Sequence, residues 1–315
     1  MREGCHGTGV AAALLLDVVL GEPPARIHPT VLMGGCVALV EKKGVSFPPS
    51  GRRVAGVAAA VAVPGASFLL ARTALRSLPP GTRWLAGAAL TSTALSLRGL
   101  GEAATAVERE LCLGDLERAR ERVGEIVGRD TESLSGEGVA RAAVETVAEN
   151  TSDGVVAPML YALLFGAPGA LAYRAVNTLD SMLGYREGPY RELGWAPARL
   201  DDLANLLPAR LTMLAVALAS GRPRATLSAA RRFGSRHTSP NAGWAEAAFS
   251  GALGLRLGGP SSYRGVVREG ASIGDGQPPV PRDVRRAVRL MQRSCLLLAA
   301  VFLVAERAAG AASRV

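Results

Sequence analysis

The stretch "VVAPMLYALLFGAPGALAY", residues 155–173, carries no charged side chain. It is bracketed by two copies of Asn-Thr-x-Asp, in "ENTSDG" at Glu149–Gly154 and "VNTLDS" at Val176–Ser181. As a straight helix rising 1.5 Å per residue, Gly154–Tyr173 would be about 30 Å long, enough to cross a bilayer and part the two polar copies. The segment contains Pro158 and then "FGAPGA", where Gly166, Pro168 and Gly169 crowd together. Proline removes a helix donor and restricts the residue before it, while glycine frees the backbone. This punctuation favours a re-entrant hairpin: a short helix in, a turn, and a second helix out through "LAYRAVNTLD". Irregular backbone at that depth has to be satisfied by protein or water. On this reading Asn150 and Asp153 emerge on the same side as Asn177 and Asp180. The competing reading, in which this segment and Leu203–Gly221 both cross, leaves residues 177–202 on the opposite side.

Uncharged runs recur at Val54–Ala71, Trp84–Leu97, Gly154–Tyr173, Leu211–Gly221 and Ser294–Ala305, and most polar residues fall between them. A full span needs about 20 apolar residues, which Val54–Ala71 and Gly154–Tyr173 approach and the others do not. Pro208 and Arg210 interrupt the stretch Leu203–Gly221, which permits a second partial insertion. The expected fold is all-α: a polytopic membrane helical bundle over residues 1–315, one domain, with short broken or re-entrant helices. A soluble helical protein with alanine-rich core helices is the alternative.

Net charge is +9, and Lys42 and Lys43 are the only lysines. The arginines cluster in connecting segments, Arg222, Arg224, Arg231, Arg232 and Arg236 in one and Arg282, Arg285, Arg286, Arg289 and Arg293 in another. In a membrane protein such segments read as cytoplasmic. Aromatics make up only 4% of the chain, and no nucleic-acid motif accompanies the basic residues, which argues against a nucleic-acid partner. Cys5, Cys36, Cys112 and Cys295 are scattered, so neither a zinc site nor a disulfide framework is indicated. The N-terminal apolar run contains Asp17 and ends in Gly-Glu-Pro-Pro, and is read as a retained helix and not as a signal peptide.

Residues 101–145 are charged and helix-favouring, with a broken apolar stripe of Leu111, Leu113, Leu116, Val123, Ile126 and Val127. They read as a solvated helical hairpin inserted in the bundle. Glu145, Glu149 and Asp153 follow at i, i+4 and i+8. If a helix continues through "NTSD", all three acids share one side. The alternative is an exposed acidic stripe.

Acids and amides concentrate in one third of the chain: Glu145, Glu149, Asn150, Asp153, Asn177, Asp180, Asp201, Asp202 and Asn205. Hard oxygen ligands of this kind suit magnesium, which is commonly held by one or two carboxylates and a substrate phosphate. Arg174, Arg186, Arg199 and Arg210 lie in the same third and are suited to phosphate or carboxylate. No Gly-x-x-x-x-Gly-Lys sequence is present, so a bound nucleotide is held by something other than a P-loop. "GEPPARIHPTVLMG", residues 21–34, sets Glu22, Arg26 and His28 in a proline-stiffened loop, where His28 is either structural or functional. "SPNAGWAEAAFSGALGLRLGG", residues 239–259, places Asn241, Trp244 and Glu246 at the mouth of a small-residue helix. Trp244 there is either an interface anchor or a flat surface for a planar ligand.

Four blocks carry a resemblance. "LLLDVVLGEPPARIHPTVLMG", "ETVAENTSDGVVAPMLYALLFGAPGALAYRAVNTLDSMLGYR", "GWAPARLDDLANLLPARLT" and "SPNAGWAEAAFSGALGLRLGGPSSYRG" run in order from Leu14 to Gly265. They resemble the blocks of the cobalamin-biosynthesis CobD/CbiB family, the adenosylcobinamide-phosphate synthases, which are multi-pass membrane proteins. The segments around 42–141 and the C-terminal helix carry little of it. The resemblance implies an ATP-dependent ligase located in the cell (inner) membrane. Its reaction joins aminopropanol, as its O-phosphate, to a propionate carboxylate of adenosylcobyric acid, giving adenosylcobinamide phosphate. Chemistry then suggests roles at the motif positions. Glu149, Asp153 and Asp180 are expected to hold Mg²⁺, with Asp201 and Asp202 as further ligands. Glu145 or His28 is the expected base, with Glu149 as a third catalytic candidate. Arg26, Arg199 or Arg210 is expected to clamp phosphate, and Asn150, Asn177, Asn241 and Trp244 to line the substrate site. The other classes weighed are a Mg²⁺-dependent membrane prenyltransferase, which lacks here the paired Asp-rich repeats, and a non-catalytic scaffold or transporter for corrinoid enzymes.

Overall fold

In the computed structural model, residues 6–185, 187–263 and 265–312 are described, so Cys5 and Arg186 lie outside the described residues. The chain forms α1 (His6–Leu20), α2 (Pro29–Gly44), α3 (Pro49–Ser77), α4 (Pro80–Ser92), α5 (Leu97–Leu113), α6 (Leu116–Gly124) and α7 (Gly136–Asn150). A π-helical turn, Thr151–Val156, leads from α7 into α8 (Ala157–Leu183). Then come α9 (Tyr190–Leu193), α10 (Trp195–Ala204), α11 (Leu206–Ala219), α12 (Pro223–Phe233) and α13 (Ala242–Leu253). Four short strands, β1 (Leu257–Gly258), β2 (Ser261–Tyr263), β3 (Val266–Arg268) and β4 (Ser272–Ile273), pair antiparallel as β1–β4 and β2–β3 before α14 (Pro281–Ala312). The fold is that of an all-α polytopic membrane protein.

Among the described residues, three helical stretches are long and apolar enough to cross a membrane: Pro49–Ser77, Gly136–Leu183 and Pro281–Ala308. The second does not cross as one rod, because α8 reverses inside itself. Gly166 has φ 71° and ψ −170°, a left-handed conformation that a side chain resists. Across that point the ring centroids of Tyr161 and Tyr173 stack at 5.1 Å, whereas 12 residues of straight helix would hold them about 18 Å apart. The reversal expected from "FGAPGA" is therefore present, and Gly166 is its turning residue.

Contacts group the chain into two compact units: residues 1–96, 157–205 and 299–315 form the first, and 97–156 and 206–298 the second. In the first unit, α1 ends at Gly21, whose positive φ and following Glu-Pro-Pro stop the helix. Pro29, Pro49 and Pro80 each sit in a first turn, where their missing N–H costs no helical bond. The core gathers Val37 of α2, Ala59 of α3, Leu179 and Leu183 of α8, and Leu193 of α9. Gly56 of α3 admits a close approach there, since a Cβ would sit 2.1 Å from the carbonyl of Leu193. Val54, Val57, Val61, Leu69 and Leu70 on the same helix lack protein cover, as do Leu15, Val19 and Leu20 of α1. Surfaces this apolar suit lipid.

In the second unit the wet hairpin is α5–α6, capped where Asp115 Oδ1 accepts from Arg118 N at 3.0 Å. It is shorter than the sequence suggests. From Val139 to Ala148, all of α7 except Arg141 is buried, so residues 139–145 are core and not solvated insertion. The helix does continue through "NTSD", but as a π turn whose start coincides with Thr151 Oγ1 donating back to Val147 O at 2.6 Å. The wider turn takes Asp153 out of α-helical register with Glu145 and Glu149. Glu145 is buried, Glu149 exposed and Asp153 half-buried, so the three acids do not form one exposed stripe.

Candidate functional site

Each unit carries a cluster of polar side chains that includes the motif residues. In the first, the hairpin positions it. Tyr161 donates its hydroxyl to Ala204 O at 3.1 Å, and Tyr173 donates to Asn205 Oδ1 at 2.7 Å. Both stacked tyrosines thus grip the end of α10. Asn205, buried, donates in turn to Asp201 Oδ2 at 2.9 Å. The other oxygen, Asp201 Oδ1, is buried and has no partner within hydrogen-bond geometry among the described residues, although the Asn177 side chain lies close enough to act on the carboxylate as a donor. Asn177 and Asp180 from the outgoing arm of α8 both act on this carboxylate, Asp180 as a like charge. Buried carboxylate oxygen without a partner is costly unless a proton or cation meets it. Asp202, next along, is partly exposed and pairs with exposed Arg199 at 3.4 Å.

His28 belongs to the same unit. Its Nδ1 accepts from Thr30 N at 3.2 Å and so caps α2. That bond assigns the imidazole proton to Nε2, which is buried, has no hydrogen-bond partner and lies 3.8 Å from Glu22. Burial lowers the His28 pKa, opposed by Glu22 and assisted by Arg174, so the ring is neutral and offers a donor. Arg26 is exposed nearby in sequence.

The second cluster is built on α7 and α13. Glu145, 4% exposed, pairs with Arg129 at 2.7 Å, accepts from Gly258 N at 2.6 Å and lies 3.9 Å from Arg141. Arg141 also donates to Gly258 O and Pro260 O, which ties α7 to β1. Glu246, also 4% exposed, stands 3.7 Å from His237 and feels the charges of Glu145, Glu149 and Arg129. Desolvation, then Glu145 and Glu149, push its pKa well up, and Arg129 only partly counters this. Arg210 donates to Asn241 Oδ1 at 2.7 Å and covers the Trp244 ring at 4.9 Å. Gly234 also packs against that indole, so Trp244 is a packed ring and not an open platform. Asn150 donates back to Thr146 O in its own helix.

Among the described residues, no three His, Cys, Asp or Glu side chains converge as a ready metal cage. Of the acids expected to share a metal, Glu149 and Asp153 belong to the second unit, and Asp180, Asp201 and Asp202 to the first. Tyr173, Arg129, Arg141 and His237 were not singled out from the sequence. The available signal was Glu246, a solitary acid in "AGWAEAAFSGAL", which had to find its partners elsewhere in the fold.

The family model described as CobD/Cbib protein matches residues 10–291. The chain belongs to the CobD/CbiB family. It is 44% identical over 293 residues to "Cobalamin biosynthesis protein CobD" of Rhodobacter capsulatus, covering 90% of this chain and 92% of that one. The protein of the same name from Mycobacterium tuberculosis is 43% identical, over 96% of this chain and 97% of its own. That from Klebsiella pneumoniae is 42% identical over 92% and 94%. No solved structure matches. Both polar clusters of this CobD/CbiB chain fall inside the matched residues.

Proposed function

We propose that this chain is the amide-forming synthase of cobalamin biosynthesis, joining aminopropanol O-phosphate to a propionate carboxylate of adenosylcobyric acid with cleavage of ATP. The family match along residues 10–291, with relatives named as cobalamin biosynthesis proteins, carries the reading. A carboxylate is a poor electrophile, so its oxygen first attacks the γ-phosphorus of ATP, releasing ADP and leaving an acyl phosphate. The amine nitrogen then attacks the acyl carbon, the C–O bond to phosphate breaks, and the nitrogen loses a proton to a base.

The side chains suit these demands. Asp201, with its unpartnered buried oxygen, and Asp180 beside it fit Mg²⁺, with Asn177 as a neutral oxygen donor and Asp202 adjacent. Mg²⁺ there would offset charge on the transferring phosphoryl group. Tyr173 and Asn205 hold Asp201 in place. Arg26 and Arg199, both exposed, are the available phosphate clamps, while Arg210 is committed to Asn241. His28 Nε2–H is a buried donor for a substrate oxygen. Glu145 is committed to its ion pair with Arg129, so it orients its own cluster and is not the base. The protein sits in the cell (inner) membrane with its arginine-rich segments on the cytoplasmic side.

The test is direct. Purified protein is incubated with adenosylcobyric acid, ATP, Mg²⁺ and aminopropanol phosphate, and the product is read by mass. Adenosylcobinamide phosphate and ADP should form together, and neither without the amine acceptor and the corrinoid acid. Absence of the amide, with a folded protein and intact substrates, overturns the reading.

A further inference from the structure

The exposed face of α14 changes character along its length. Arg282, Arg285, Arg286, Arg289 and Arg293 stand at i, i+3, i+4, i+7 and i+11, on one side of the helix, and all five are exposed. The other side, with Val284, Ala287, Val288, Met291 and Cys295, is buried. Leu296 follows three residues after Arg293 on the exposed side, and Ala300 and Val304 continue it along the helix. No residue from Ser294 to Ala305 is charged. One face thus passes from arginine to exposed aliphatic within a single turn, on a helix long and apolar enough to cross a membrane.

The five arginines are not equivalent. Arg285 donates from Nε to Glu108 Oε2 at 2.8 Å. Arg286 donates to Asp283 Oδ1 at 2.6 Å and to Leu253 O at 3.1 Å. Both are therefore held by acceptors of the protein itself. Arg282, Arg289 and Arg293 make no side-chain ion pair or hydrogen bond among the described residues. Depth separates those three. At 1.5 Å per residue, Arg293 and Arg289 lie about 1.5 and 7.5 Å before the uncharged run, and Arg282 about 18 Å before it. A bilayer about 40–45 Å thick with a hydrocarbon core of about 30 Å leaves about 5–8 Å for each headgroup layer. With the aliphatic face in acyl chains, Arg289 and Arg293 fall among the headgroups and Arg282 beyond them.

We propose that Arg289 and Arg293 clamp the phosphate of an anionic phospholipid whose acyl chains descend past Leu296. The two guanidiniums are one turn apart, about 6 Å along the axis, so both forks can reach oxygens of a single phosphodiester. A zwitterionic headgroup brings its own cation to that phosphate, whereas an anionic one such as phosphatidylglycerol leaves the charge for the protein to meet. Leu296 decides for a lipid over a soluble phosphate. A free anion would use the arginines alone, while a lipid also covers the aliphatic surface directly below them. The clamp is independent of the proposed ligation.

Native mass spectrometry of the full chain, released from detergent micelles with added lipid, reads the affinity for the first lipid bound. An arginine beside an anionic headgroup is worth about fivefold in affinity. Wild-type protein should therefore prefer phosphatidylglycerol to phosphatidylcholine by about 25-fold, and Arg289→Gln combined with Arg293→Gln should abolish the preference while leaving phosphatidylcholine unchanged. Arg282→Gln, beyond the headgroup, should change neither lipid. All three arginines are exposed, so their substitution removes no packed contact and binding is read on a folded protein. Equal affinity of the wild type for the two lipids overturns the clamp, as does unaltered phosphatidylglycerol binding in the double variant. A loss in Arg282→Gln as large as in the double variant would mean diffuse charge and would also overturn it. Excess glycerol phosphate carries the same anion without acyl chains; if it displaces phosphatidylglycerol, the site belongs to a soluble phosphate and the lipid assignment falls.

Discussion

The rings of Tyr161 and Tyr173 stack 5.1 Å apart and within 13° of parallel, although 12 residues of nominally continuous helix separate them. Their hydroxyls go to neighbouring acceptors, Ala204 O and Asn205 Oδ1. One aromatic pair therefore closes the hairpin and fixes the end of α10, and through Asn205 it orients Asp201.

The turn should be sensitive to any side chain. At Gly166 a Cβ meets left-handed backbone, and Gly166→Ala should cost about 1–2 kcal/mol. Gly169 is tighter, since a Cβ there would lie 2.5 Å from Tyr161 O and 2.6 Å from Phe165 Cβ. Gly169→Ala should lower the thermal midpoint more than Gly166→Ala does, read by unfolding in detergent. Equal stability of all three proteins would count against the reversed path.

Asp201→Asn keeps the shape of the side chain and removes its charge. Ligation should fall about 100-fold or more, with binding of Mn²⁺, followed by its electron paramagnetic resonance, lost in parallel. Tyr173→Phe frees Asn205 without touching the carboxylate, and a fall of about tenfold is expected. Unaltered Mn²⁺ binding in Asp201→Asn would take the metal away from this pair.

Glu145 and Arg129 are 5% and 15% exposed in their side chains and 2.7 Å apart. Glu145→Gln leaves a largely buried guanidinium and should destabilise the chain by roughly 3 kcal/mol. Pairing it with Arg129→Met should recover part of the loss, which a double-mutant cycle would measure. Strict additivity would mean that the pair contributes nothing.

Glu246 sets a pH dependence. Its folded pKa is raised from the ordinary 4.5 by burial and by Glu145 and Glu149. The folded state thus holds a proton that the unfolded chain has released. The stability this gives is complete below pH 4.5 and declines as pH rises through the raised folded value. Glu246→Gln should flatten that part of the profile. His28 has the opposite sign: burial lowers its pKa from 6.5, so its contribution is present above pH 6.5 and is lost as pH falls through the lowered folded value.

Much was legible because it is local. Pro-Pro-Gly between α3 and α4, Gly-Glu-Pro-Pro after α1 and "FGAPGA" within α8 act on the residues beside them, and each breaks or bends the chain where expected. The identity of α7 as core was harder. Its alanines and valines give little contrast between faces, and its charges suggested a wet face. Roles within the acidic set were not legible either, since a carboxylate's state depends on what surrounds it. Glu145 and Glu149 lie one turn apart, yet one is buried under Arg129 and the Gly258 N–H, 113 residues away in sequence, and the other is exposed.

By itself, the sequence determined that this chain is helical and apolar enough for a membrane, where its helices break, and which family it belongs to, because these follow from residue type at short range. Only the tertiary structure decided which acids are paired and which are not. It left Asp201 with a buried oxygen that has no hydrogen-bond partner among the described residues, and it buried Glu246 beside His237. Burial and charge act through space, and the partners that set them are brought together only when distant segments pack.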